Sequence, residues 1–269
     1  MNTFPERAAR CASGRATMPR GFSGRVLACV LCLLFGLAGQ LPAATLHQTG
    51  TIEALSAGDY AGQIAMPALA GQGDFGLGTF DALNGEMVVL DGVVYQITVD
   101  GVVHKAKPGQ TAPFAQVARF GGSIDLGRVD GLDLPGLTAA LAARLPDPSK
   151  MCAVRVDGRF GELTVRSVPA QAKPWPPLAE AISRQATFPL ADEQGTLVGF
   201  YTPSGLPALS PPGWHFHYLS NDKRRGGHVL SLKVDAAKAR GEAVTAMDIR
   251  LPPGPLPRAN VAKPAAGTE

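Results

Sequence analysis

WHFHYLSNDKRRGGHVLSLKV, Trp214–Val234, carries three of the five histidines of a 269-residue chain. His215 and His217 stand two apart, a spacing that shares one face of a strand but falls on nearly opposite sides of a helix. The segment from His228 alternates, with Leu230, Leu232 and Val234 expected on the side of His228, and the polar run SNDKRRGG separates the two stretches. That pattern predicts a β-hairpin. With its tip centred on Asp222 and Lys223, His217 falls directly opposite His228, with beta carbons roughly 5 Å apart. Three imidazoles should then converge on one patch.

Three imidazole nitrogens with an open fourth position suit a divalent cation such as zinc. An H-x-H pair on a strand also fits two core histidines bonded to backbone carbonyls, and the third histidine in register favours the metal. His47 and His104 stand alone and gain no such support.

Outward from this hairpin the chain reads as more strands. GTLVGFYT (Gly195–Thr202) precedes it, and CAVRVDGRFGELTVRSV (Cys152–Val168) is a strand cluster with an expected Asp-Gly turn at Asp157 and Gly158. Further upstream, EMVVL-DG-VVYQITV-DG-VVHK (Glu86–Lys105) is a meander, its β-branched runs punctuated twice by a strong hairpin signal. Helical spacing appears in GLTAALAARL (Gly136–Leu145), and PWPPLAEAISRQ (Pro174–Gln185) offers prolines at the start of a helix of about ten residues. The expected fold class is α+β: mixed β-sheets with a few short helices. Two sheet-forming halves, 45–120 and 151–250, are joined by a segment over 121–150 with a short helix, and the metal site lies on the C-terminal β-hairpin. From Leu251 the tail is rich in proline and alanine and is expected to lack regular structure.

Residues 1–44 read as a signal peptide, with arginines before the apolar run VLACVLCLLFGLAG and small residues at its end. The apolar run, about fourteen residues, is short for a membrane span of about twenty. Removing this leader turns 25 basic and 22 acidic residues into 20 and 21, because it carries five arginines and one glutamate. The mature chain is thus expected to be exported, near neutral and without a footprint for nucleic acid or a membrane surface. Cys152 is the one cysteine outside the leader, which excludes an internal disulfide in the mature chain.

GQGDFG (Gly71–Gly76) matches a dinucleotide fingerprint, but that motif needs a buried strand before it and a helix after it. Neither is expected here, since AMPALA precedes it and LGTFDALNGEM, which ends in an Asn-Gly turn and a strand, follows. Taken whole, GDFGLGTFDALNGEMVVLDGVVYQI (Gly73–Ile97) resembles the α-acetolactate decarboxylases. The R-x-V-P motif at Arg166 with the KPWPPL run after it, GTLVGF, and finally H-x-H with RGGHVL complete the resemblance, which covers roughly Leu46–Val234.

The resemblance implies conversion of the small molecule 2-acetolactate to acetoin and carbon dioxide through a zinc-stabilised enediolate, with zinc on His215, His217 and His228. It also implies that Glu86 stands beside the metal, that Arg166 reaches the same site as a catalytic and substrate-binding group, and that Thr79 contacts substrate. A tail glutamate approaches the metal in such proteins, and the one acid of this tail is Glu269. A homodimer through sheet edges is implied as well. Without the resemblance, Glu86 reads as a solvated residue after an Asn-Gly turn and Arg166 as an exposed strand arginine. The rival readings are an exported β-rich binding module with structural histidines, or another three-histidine metal enzyme, an oxygenase or hydrolase.

Overall fold

The computed structural model describes residues 44–252. The expected leader, save its last residue, and the tail beyond Pro252, with Glu269, fall outside that range.

β1 (Ala44–Thr49) leads through the short helix α1 (Ile52–Ser56) to β2 (Ile64–Ala65) and α2 (Met66–Gln72). β3 (Phe75–Thr79), β4 (Glu86–Leu90), β5 (Val93–Ile97) and β6 (Val103–Lys105) form the meander, and β7 (Thr111–Ala112) and β8 (Phe114–Ala118) follow. Then come β9 (Ile124–Arg128), α3 (Leu134–Ala142), β10 (Cys152–Ser167), α4 (Leu178–Ile182), β11 (Ala186–Thr202), β12 (Gly213–Ser220) and β13 (Gly226–Arg250). The molecule is mostly β-sheet with a few short helices, as the sequence pattern predicts.

The turns follow the side-chain chemistry. Asp91 and Gly92 join β4 to β5 with φ of 52° and 78°, the doubly left-handed turn whose twist matches that of the flanking strands. Asp133 opens α3 by accepting a hydrogen bond from Gly136 N at 2.8 Å, and this cap starts the helix two residues before the expected Gly136. Around the nucleotide-like motif, a helix precedes and a strand follows, the reverse of what a dinucleotide site needs.

Three expectations need correction. Asp157 and Gly158 make no turn, because both lie inside the continuous strand β10. Gly158 instead admits close approach of β13: a Cβ there would sit 2.3 Å from Ala237 Cβ. Leu232 and Val234 do not share the face of His228 but enter the core with Phe216 and Tyr218, since the register between β10 and β13 slips at Thr164/Val165. This bulge leaves Leu230 38% exposed while Leu232 is buried. Finally, α4 has five residues, fewer than the ten expected, because Gln185 is followed directly by the long strand β11.

β10 pairs with β11 and β13, and β12 pairs with the same two, so these four strands close on themselves. β13 then continues past β9 and pairs in parallel with β1. From β1 the sheet runs on through β8, β3, β4, β5 and β6. One 25-residue strand thereby belongs to both strand groups. Leu77, Val88 and Ile97 from the meander share a core with Ala153, Phe200 and Leu219 from the C-terminal strands. That apolar seam clamps β4 against β12 and places the site.

Candidate active site

Alternation along β12 sorts its side chains. Phe216 and Tyr218 enter the core of the closed four-strand group, leaving His215 and His217 on the opposite face, toward β4. His217 is paired with His228 across the hairpin, in the register predicted from the sequence.

The three rings converge, with centroids 4.9 to 5.2 Å apart. His215 Nε2 lies 3.0 Å from His228 Nδ1, which lies 3.3 Å from His217 Nε2. The other nitrogen of His217, Nδ1, is 2.7 Å from the carbonyl oxygen of Met87. A carbonyl only accepts, so Nδ1 carries the proton and Nε2 turns its lone pair toward the other two rings. Burial and then Arg166 push His215 down to about 4. His217 and His228 lie well below the ordinary histidine range, from burial first and the neighbouring His215 next. Three neutral imidazoles, His217 buried and the other two half-buried, with ligand atoms within 4.8 Å of one another, can hold a metal ion, and the donor set suits zinc.

Glu86 and Arg166 join this group. Thr79 and Glu86 are paired across β3 and β4, and Arg166 is paired with His228 across β10 and β13. Glu86 Oε2 is 3.5 Å from His217 Nε2, and its Oε1 is 3.8 Å from Arg166 Nη1. Glu86 is buried and the Arg166 side chain is 13% exposed, which excludes the solvated readings of both. Burial raises the Glu86 carboxyl to about 7, against the opposing pull of the Arg166 guanidinium.

The turn leading to Glu86 is held from several sides. Thr79 Oγ1 donates to Gly85 O at 2.7 Å, Gly85 N donates to Val168 O, and Gln96 Nε2 donates to Asn84 O. Ala82 and Leu83 sit at φ of 58° and 59°, a left-handed conformation unusual for such side chains and common beside functional groups. Gly85 is required, since a Cβ there would lie 2.2 Å from Ile97 O.

These polar groups form one end of a cavity of about 340 Å³. Its other walls are apolar: Ile52 and Leu55 of α1, Leu83, Phe114, Val168 and Leu178 of α4, with Pro211 and Trp214. Sequence reading expected the helix that carries Leu178 but missed α1, which is too short to show a period, and could not place either helix against the cavity. It also missed the Met87 carbonyl, a backbone group that no residue type announces. The other arginine with apolar neighbours on β10, Arg155, does not line the cavity and pairs with Asp157 and Asp91. His47 pairs with Asp248 on the surface, and His104 sits on β6.

The family described as alpha-acetolactate decarboxylase matches residues 46–255. The alpha-acetolactate decarboxylase of Methanosarcina mazei is 39% identical over 77% of this chain and 72% of its own. That of Brevibacillus brevis is 34% identical over 80% and 75%. The crystal structure of alpha-acetolactate decarboxylase from Bacillus subtilis strain 168 superposes with a TM-score of 0.77 at 29% identity, covering 82% of this chain and 94% of that one. On a match over residues 46–255, which spans both strand groups, the chain belongs to the α-acetolactate decarboxylase family.

Proposed function

We infer that this protein decarboxylates 2-acetolactate to acetoin and CO₂, with zinc held by His215, His217 and His228. The observation that carries this reading is the convergence of three neutral imidazoles with Glu86 and Arg166 at one end of a largely apolar cavity. Zinc there would supply a Lewis acid that favours flow of the carbon–carbon bonding electrons into the substrate ketone as CO₂ departs.

The chain's own residues do the rest. Arg166, always cationic and fork-shaped, is suited to hold the substrate carboxylate and to orient the bond that breaks. Glu86, raised to about 7 by burial in the metal-free chain, stands beside the imidazoles and is placed to deliver a proton to the carbon of the enediolate left behind. Thr79 lines the same cavity and fixes the turn that presents Glu86. The apolar walls take the methyl groups and keep water from the reacting carbon. The leader-like first 44 residues make this an enzyme of an exported compartment.

The test is acetoin production by the mature protein, before and after chelation and after zinc is restored. His217→Ala should abolish both zinc retention and turnover; an active, metal-free His217→Ala protein would overturn the reading. The rival of an exported binding module predicts no acetoin from the wild-type chain under any metal condition.

A further inference from the structure

Glu193, on β11, is a buried acid outside the cavity, 5% exposed. Its Oε1 accepts from Arg225 Nε at 2.6 Å, and its Oε2 accepts from the Tyr218 hydroxyl at 3.1 Å. Arg225 extends a second arm, Nη2, to 3.7 Å from Asp222 Oδ2 within the turn. The carboxylate therefore ties together β11, β12 and the end of the β12–β13 turn.

The position of this knot matters because the ladder it closes is short. β12 and β13 share three residue pairs: Leu219 with Gly226, Tyr218 with Gly227, and His217 with His228. Two of the three contain glycine, which contributes no side chain to cross-strand packing, so beyond the flanking β10–β13 and β11–β12 ladders this junction has few side-chain contacts of its own. Tyr218 directly follows His217, and Arg225 stands three residues before His228. The turn is further pinned by Asn221 N donating to Gln194 O at 2.8 Å, one residue from Glu193. A slip of one residue at this turn would carry His228 to the opposite face of the sheet and away from His217.

We propose that the Glu193–Arg225 ion pair, together with the Tyr218 hydroxyl, is a positioning device that fixes the β12–β13 registration and thereby the separation of His217 and His228. The proposal rests on the zinc reading given above. It assigns neither residue to the reacting atoms. An arginine serves here because its two arms reach Glu193 and Asp222 together, which the single ammonium of lysine does less well.

The experiment compares zinc dissociation constants of the wild-type chain, Arg225→Met, Glu193→Gln and the double variant, by competition with a chromophoric chelator. Urea unfolding of the metal-free proteins is measured alongside. The expected result is a zinc affinity weakened by about tenfold in Arg225→Met, in line with other residues that orient metal ligands. The double variant should lose no more than the worse single variant, because both changes break one bond. Folded variants that bind zinc as tightly as wild type, with only their unfolding midpoints lowered, would reduce the pair to a structural ion pair and overturn the proposal. Should Arg225→Met fail to fold, Arg225→Lys, which keeps the charge and drops the second arm, carries the same comparison. A wild-type chain that holds no zinc overturns the zinc reading itself, and this inference with it.

Discussion

Replacing Glu86 by glutamine should stabilise the metal-free protein, and by an amount that depends on pH. In the folded chain burial moves this carboxyl from its ordinary 4.5 to about 7. The unfolded chain releases the proton near 4.5, whereas the folded chain keeps it until about 7. Stability associated with the protonated group is therefore complete below 4.5 and lost as pH rises through 7. At about 1.36 kcal/mol for each pH unit between the two values, wild type should fall behind Glu86→Gln by about 3 kcal/mol between pH 4.5 and about pH 8. The depressed histidines tilt both curves alike below their ordinary 6.5, so they largely cancel in the difference. The assay is urea unfolding of chelator-treated protein across that pH range, followed by the fluorescence of Trp175 and Trp214. Restoring zinc should narrow the gap, because a nearby cation favours the carboxylate. The same variant should retain zinc and lose about 10²–10⁴-fold in turnover, the range for removal of a general acid. Stability curves that run parallel from 4.5 to 8, or a variant less stable than wild type above 7, would refute the reasoning, since the Arg166 pair would then outweigh burial.

Two further outcomes test the fold. Gly158→Ala should cost about 1–3 kcal/mol in urea unfolding, because its Cβ would press on Ala237 from within a continuous strand; a neutral result would show that β13 can move aside freely. Leu230→Ser should leave stability within about 0.5 kcal/mol, whereas Leu232→Ala should cost about 2–5 kcal/mol. Equal costs for the two would contradict the bulge that exposes one and buries the other.

The histidine hairpin was legible because strand alternation and turn centre are local properties, and two residues of spacing plus one turn fix which rings meet. The Asp-Gly signal worked at Asp91, where both residues take left-handed φ. It failed at Asp157, because a glycine that permits close approach of another strand looks the same in sequence as one that makes a turn. The bulge at Leu230 was invisible for a related reason, as it arises from the match between β10 and β13 rather than from either strand alone.

By itself, then, the sequence determined the β character, the pairing of His217 with His228, and, through shared motifs, the family. Tertiary structure decided what surrounds those rings. It brought Glu86 and Arg166 out of water by packing the meander against the closed strand group. It chose the Met87 carbonyl that sets the His217 tautomer, and it built the apolar wall from two five-residue helices remote in the chain. Burial and dielectric belong to the assembled core, and the proton affinity of Glu86 is set there, not by its neighbours in sequence.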